Sequence, residues 1–192
     1  RIDKILGIDL LGEVAGFIPS EEWKIEKFGQ PWFIGDTYNV SIGQGDLLAT
    51  PLWLSSYASA IANGGIFYRP FVVKEILDKD QKVIKEFFRQ ELGRLDFDQA
   101  SFKIVQEGMR EAVVSGTARL LNGLPVEVAA KTGTAQVGVK GSGFNSLFIA
   151  YAPYDNPEIA ISITIEDIGK TQGLAILTAR DFFSRLYPQT TP

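Results

Sequence analysis

Four consecutive residues, Lys131, Thr132, Gly133 and Thr134, combine groups that can act together on a substrate bearing a carboxylate. A lysine cation can bind the carboxylate, two threonine hydroxyls can orient it, and a glycine lets a backbone approach closely. These are the residue types that an acyl-transfer site needs along one edge. The structural alternative is an exposed strand end, where lysine is frequent because it protects sheet edges.

The residues before this lysine predict the strand that carries it. Val126, Val128 and Ala130 alternate with Glu127 and Ala129. A period of two is typical of a β-strand with one buried face. We therefore expect the four residues to follow a strand-like run within 126–137.

Composition limits the chemistry that this chain can perform. Its 192 residues include no histidine and no cysteine. A Ser-His-Asp triad, a histidine-ligated zinc ion and a thiolate nucleophile are therefore excluded within it. An acyl-transfer enzyme built here would need lysine in the proton-transfer role.

Charge limits the partners. The net charge of −4 and the lack of a lysine or arginine run argue against nucleic acid. The acidic pairs Glu21-Glu22 and Glu166-Asp167 lack a third ligand at a supporting spacing, so we expect no metal site and no cofactor.

Hydrophobic periodicity and capping residues predict both helices and strands along the chain, as in an α+β fold. Thr50 and Pro51 open a helix that ends near Asn63, and Asp98 opens another that ends at Ser115. The remaining predicted elements are a helix over 1–11, an ordered loop over 16–36, a hairpin of strands 71–77 and 83–88, a short helix capped by Thr117 that stops at Asn122, strands over 146–154 and 158–166, and a helix over 173–187 with Ile176, Ala179, Phe183 and Leu186 facing inward.

Several segments in order along the chain resemble one known family. They are the Lys-Thr-Gly at Lys131, the S-I-G-Q-G stretch from Ser41, T-P-L from Thr50, A-N-G-G from Ala62, F-I-P-S-E-E-W-K from Phe17, S-G-T-A from Ser115 and Y-A-P from Tyr151. Together they are similar to the penicillin-binding transpeptidase and β-lactamase superfamily. The closest resemblance is to class B penicillin-binding proteins of the cell-elongation type, penicillin-binding protein 2.

This resemblance implies a fold, an activity and roles for residues. The fold would be the C-terminal portion of a penicillin-binding protein/β-lactamase-like transpeptidase, with an antiparallel sheet packed against helices. The activity would be that of a serine D,D-transpeptidase that cross-links peptidoglycan on D-Ala-D-Ala stem peptides. Lys131 and Thr134 would be catalytic, and Thr132, Gly133 and Thr134 would bind substrate. The backbone N–H of Thr134 would be one of two oxyanion donors.

Two elements of the family pattern are missing from this sequence. No serine has a lysine three positions later, and none has an asparagine two positions later. The family carries both elements N-terminal to the S-I-G-Q-G stretch. We therefore expect residues 1–192 to be the C-terminal part of a single transpeptidase domain, without the membrane anchor, the pedestal or the nucleophile-bearing half. Such a piece would be inactive alone and marginally stable.

Two serines of this chain are candidate nucleophiles. Ser41 stands beside Gly43, but no residue at helical spacing can act as its base, so a structural hydroxyl is the favoured interpretation. Ser142 lies in a glycine-rich segment over 138–143, where a flexible rim is favoured.

The resemblance also implies partners and a location. The partners would be stem peptides, β-lactam antibiotics and other cell-wall elongation proteins. The site would lie on the periplasmic side of the bacterial inner membrane, held by an anchor outside this sequence. Three alternatives remain open: a division-type transpeptidase, a β-lactam-sensing domain, and a catalytically dead scaffold of the same fold.

Overall fold

A computed structural model describes residues 2–137, 143–169 and 173–188, and these ranges form an α+β fold. The helices are α1 (Glu21–Phe28), α2 (Ile34–Ser41), α3 (Pro51–Ala62), α4 (Gln99–Val114) and α5 (Leu174–Leu186), with a 3₁₀ turn at Arg119–Leu121. The strands are β1 (Ile66–Tyr68), β2 (Glu75–Leu77), β3 (Val83–Glu86), β4 (Glu91–Arg94), β5 (Ala129–Val137), β6 (Gly143–Ala152) and β7 (Ile159–Ile165). None of the helices in these ranges is both long and apolar enough to cross a bilayer.

The central feature is an antiparallel sheet with the strand order β5-β6-β7. β5 contains the Lys-Thr-Gly-Thr sequence and pairs with β6 along its whole length, with Lys131 opposite Ile149 and Thr132 opposite Phe148. β5 is therefore an edge strand in the part of the chain that the structure describes. Its second side pairs with no further strand of the described residues.

Helices cover both faces of this sheet. On one face, α5 and the 3₁₀ turn bury Phe183 and Leu121 against Phe148 of β6. On the other face, Ile61 of α3 and Met109 of α4 pack with neighbouring apolar side chains of β5 and β6. This sheet with helices on both faces confirms the predicted fold.

The two best-defined helices begin at their predicted caps. The Oγ1 atom of Thr50 accepts a hydrogen bond from the backbone N–H of Trp53 over 3.1 Å, and Pro51 fills the first helical position of α3. Asp98 accepts from the N–H of Ser101 over 2.6 Å at the start of α4. That backbone hydrogen bond holds the pKa of Asp98 below its usual value.

Removing the cap of α3 tests its contribution. We expect Thr50→Ala to lower the free energy of unfolding by about 1 kcal/mol, because the N–H of Trp53 loses its acceptor. Chemical denaturation followed by circular dichroism measures the change. The matched control is Thr178→Ala on the exposed side of α5, expected to stay within about 0.5 kcal/mol. Equal destabilisation by both variants would contradict a specific role for the cap.

The helix predicted over 1–11 is wrong, because the described residues of this segment form turns. Here the Glu13 carboxylate accepts hydrogen bonds from the backbone N–H groups of Leu6, Gly7 and Ile8. Gly7 also has a φ of 79°, which a right-handed helix cannot contain. In a helix these N–H groups would donate to backbone carbonyls. Here the side chain of Glu13 accepts their hydrogen bonds instead.

The loop predicted over 16–36 is also wrong, because it contains α1 and the start of α2. Ser20 caps α1 by accepting from the N–H of Trp23 over 3.2 Å, and Gly29 ends it with a φ of 66°. Asp36 accepts from the N–H of Phe33 at the start of α2. Aromatic, glycine and proline residues suggested a loop, whereas these capping residues decide the local structure.

Smaller differences concern element ends. Thr117 does not cap the 3₁₀ turn, which begins after Ala118, and Leu186 of α5 is 45% exposed instead of buried. The hairpin is confirmed but shorter, as β2 paired with β3, and the sequence did not predict the ribbon of β1 and β4. Gly143 belongs to β6, whereas the rest of the glycine-rich segment lies outside the described residues.

Candidate active site

The strand β5 divides its chemistry between two faces of the sheet. Thr132 and Thr134 line a cavity with the 3₁₀ turn and the start of α5. Lys131 lines a different cavity, with α3 and α4. This separation follows from strand geometry, because successive side chains point to opposite faces.

The cavity on the threonine side has a volume of about 560 Å³ and a polar wall. Thr117, Arg119, Thr132 and Thr134 contribute hydroxyl groups and one guanidinium to its lining. Arg119 makes no ion pair with a carboxylate of the described residues. Hydroxyl donors beside an arginine can bind a carboxylate.

Thr117 is the residue of this cavity that sequence reasoning missed. Its Oγ1 atom lies 2.8 Å from the Oγ1 atom of Thr132, so one hydroxyl donates to the other. The bond ties the segment after α4 to β5 and restricts the Thr132 rotamer. The available signal is the S-G-T-A stretch, which carries the family resemblance but from which only a capping role for Thr117 is predicted.

Lys131 is exposed and its ammonium group stays close to its own strand. The Nζ atom donates a hydrogen bond to the backbone carbonyl of Thr132. The side chain borders a mainly apolar cavity of about 280 Å³ together with Tyr57, Ile61 and Met109. The cation thus lies at the rim where β5 meets the face covered by α3 and α4.

The free edge of β5 presents backbone groups as well as side chains. The carbonyl oxygen of Thr134 accepts a hydrogen bond from Nε2 of Gln44 over 3.1 Å, on the side away from β6. In an antiparallel strand, the N–H and C=O of one residue point to the same side. The N–H of Thr134 therefore faces the free edge too, which is the position required of an oxyanion donor.

Side-chain contacts hold β5 and its surroundings in place. Arg110 of α4 donates to the carbonyl of Val128 over 3.2 Å and forms an ion pair with Glu127 at 2.6 Å. Buried Ser146 of β6 accepts from the N–H of Ala175 over 3.4 Å, which positions the start of α5 beside the cavity. These contacts join the segment just before β5 to α4, and β6 to the start of α5.

The remaining candidate groups are less suited to catalysis. The hydroxyl of Ser41 donates to the carbonyl of Thr37 over 2.7 Å within α2, which agrees with a structural role. Ser142 lies outside the described residues. Within the described ranges, no group of acidic residues has the arrangement of a metal site.

An antiparallel sheet with helices on both faces and Lys-Thr-Gly-Thr on its edge strand defines the penicillin-recognising class of serine acyltransferase folds. The sequence model of the penicillin-binding protein transpeptidase domain family matches residues 2–186, and the chain belongs to that family. The resemblance inferred from its motifs is therefore confirmed.

Individual relatives agree with this assignment. The chain is 34% identical over 179 residues to the peptidoglycan D,D-transpeptidase MrdA of Escherichia coli K12, covering 85% of this chain and 28% of that protein. Penicillin-binding protein 2B from Streptococcus pneumoniae R6 superposes with a TM-score of 0.78 at 25% identity, covering all of this chain and 32% of that one. A complex between penicillin-binding protein 2 and MreC from Helicobacter pylori contains a chain that superposes with a TM-score of 0.74 at 29% identity. The match covers 96% of this chain and 34% of that one. The chain thus spans about a third of the length of the relatives that it matches.

Proposed function

We propose that this chain forms one side of the active site of a peptidoglycan D,D-transpeptidase. The observation that carries the proposal is the free edge of β5, where the N–H of Thr134, the hydroxyl of Thr132 and the ammonium of Lys131 lie within four consecutive residues. Thr132, Gly133 and Thr134 bind the acyl donor, and Lys131 and Thr134 act in catalysis. The reaction needs no cofactor and no metal.

The reaction is an acyl transfer in two steps. A serine attacks the carbonyl between the two D-alanine residues of a stem peptide and forms an ester. The terminal D-alanine leaves, and its amine nitrogen takes up a proton as the bond breaks. An amine of a second stem then attacks the ester, forms the cross-link and frees the serine. The N–H of Thr134 stabilises the oxyanion in both steps, and the carboxylate of the donor binds beside Thr117, Arg119 and Thr132.

The serine lies in a segment upstream of this chain. We call the chain joined to that segment the full-length protein. The accessible surface supports this view. The chain exposes 12647 Å², about 3,600 Å² more than the roughly 9,000 Å² expected for a globular monomer of 21.1 kDa. Part of this surface is apolar. Val105, which is 46% exposed, lines the cavity of Lys131, and the preceding residue, Ile104, is 69% exposed. This surface supports the proposal that residues 1–192 form the C-terminal part of one transpeptidase domain.

The location and partners follow from the same proposal. An anchor outside this chain holds the protein in the bacterial inner membrane, with the site on the periplasmic side. Its ligands are stem peptides and β-lactams, which mimic the donor. The complex of the Helicobacter pylori relative with MreC supports further partners among the cell-wall elongation proteins.

A labelling experiment on the full-length protein tests the proposal. The protein is acylated with a fluorescent penicillin, cleaved near residue 1 and analysed by mass spectrometry. We expect the label on the upstream piece, and we expect the protein to release D-alanine and form cross-linked product from stem peptides.

Each other outcome selects a different function. Label on this chain would place the nucleophile here and overturn the upstream serine. Labelling without D-alanine release or cross-linking would favour a β-lactam sensor. A protein that takes no label on either piece would be a scaffold of the same fold.

A further inference from the structure

The loop after α2 presents one side chain, Gln44, toward β5. Gly43 and Gly45 flank it with φ angles of 74° and 75°. A Cβ atom on Gly43 would meet nothing within 4 Å, so the left-handed backbone and not a lack of space favours glycine there. The N–H of Gln44 also donates to the carbonyl of Asn39 over 2.9 Å, which fixes the loop to the end of α2.

The carboxamide of Gln44 forms two hydrogen bonds with the free edge of β5. Its Nε2 atom donates to the carbonyl of Thr134 over 3.1 Å, and its Oε1 atom accepts from the N–H of Gln136 over 3.4 Å. A carboxamide carries the same donor and acceptor as a peptide group. Gln44 thus fills one donor and one acceptor position on this edge that the backbone of an added strand would otherwise use.

These are the backbone groups that an extended acyl donor also needs. A residue that pairs with Thr134 in antiparallel fashion exchanges both hydrogen bonds with it. If its carbonyl oxygen binds the N–H of Thr134, its own N–H points at the carbonyl of Thr134. That carbonyl already accepts from Gln44.

We propose that Gln44 is a specificity-determining residue, whose carboxamide occupies the β5 edge in the empty site and is displaced by donors carrying an amide N–H beside the reactive carbonyl. This inference rests on the proposed acyl-transfer function. Donors with that N–H compete with Gln44 for the carbonyl of Thr134, whereas donors without it bind beside an undisturbed Gln44. Gln44 therefore reduces the gain in acylation rate that a donor's amide N–H would otherwise give. It also protects the exposed edge of β5 while the site is empty.

Two β-lactams separate these cases in the full-length protein. Benzylpenicillin carries an acylamino N–H next to its reactive carbonyl, whereas imipenem carries a hydroxyethyl group there. One net hydrogen bond corresponds to about a 2- to 10-fold change in an equilibrium or rate. We expect Gln44→Leu to raise the second-order acylation rate constant of benzylpenicillin about 2- to 10-fold and to leave that of imipenem within about twofold.

The matched control is Gln106→Leu on α4. It makes the same substitution and also removes a bond from a carboxamide to a backbone carbonyl, that of Ile61 at 2.7 Å, and Gln106 has no hydrogen bond to the described residues of β5. We expect this variant to keep the wild-type ratio of the two rate constants. Because both rates are measured on one preparation, the ratio does not depend on how much of a variant is folded.

The outcomes separate this inference from the proposed function. An equal change for both compounds would mean that Gln44 only fastens its loop, and a slower reaction with benzylpenicillin alone would mean that Gln44 binds the donor. Either result overturns the competition while acylation of the wild type still supports the proposed function. A wild-type protein that neither compound acylates would overturn the proposed function and the role of Gln44 together.

Discussion

Lys131→Ala is expected to lower the acylation rate of the full-length protein by a factor of about 10²–10⁴, the usual contribution of a positioned proton-transfer group. The chain contains no histidine that could replace the lysine. The ammonium group already lies at the edge of β5, hydrogen-bonded to the carbonyl of Thr132. Stopped-flow or gel-based measurement with a fluorescent penicillin gives the rate constant.

The effect should be chemical and not structural, because the Lys131 side chain is exposed. We expect the melting temperature of Lys131→Ala to stay close to that of the wild type. The matched control is Lys103→Ala, which removes an exposed lysine of α4 that lies 3.9 Å from Glu107. Its rate should be unchanged. Wild-type acylation of Lys131→Ala would exclude the lysine from the reaction.

Thr134→Pro is expected to reduce acylation by a factor of about 10²–10³, because proline has no N–H to stabilise the oxyanion. The substitution is informative because of where this N–H points. It faces the free edge and not β6, so proline removes no hydrogen bond from the sheet. Edge strands accept proline in this orientation.

A second variant separates the backbone group from the side chain. Thr134→Val keeps the N–H but removes the hydroxyl from the cavity that Thr117 and Arg119 also line. We expect it to retain more of the rate than Thr134→Pro and to lose chiefly affinity for the donor carboxylate. If the two variants lose the same rate, the hydroxyl and not the N–H is the important group.

The sequence predicted best the elements whose signals are local. Thr50 and Asp98 cap their helices as expected, because a side-chain oxygen and a nearby N–H form the bond within one turn. The strands of the sheet were also predicted, although the alternation over 126–130 lies mostly before β5, and β6 has a continuous apolar run from Leu147 to Ala152. These elements decide the fold class.

Contacts between residues distant in sequence account for the rest. Glu13 takes the N–H groups that a helix over 1–11 would have used, and Gln44 reaches a strand 90 residues later. The bond between Thr117 and Thr132 likewise joins two elements. The identity of these residues does not indicate such distant partners. The sequence therefore predicted the candidate site as a motif on one strand, without the residues of other elements that surround it.

The alternation of side chains along β5 has a consequence for how this protein can change over evolutionary time. Lys131 faces one cavity and Thr132 and Thr134 face another, so the strand acts as a partition between them. Loss or gain of one residue between Ala130 and Lys131 would turn the following side chains to the opposite face. Evolutionary change in β5 is therefore limited to substitutions. Insertions and deletions are restricted to the segments between the strands.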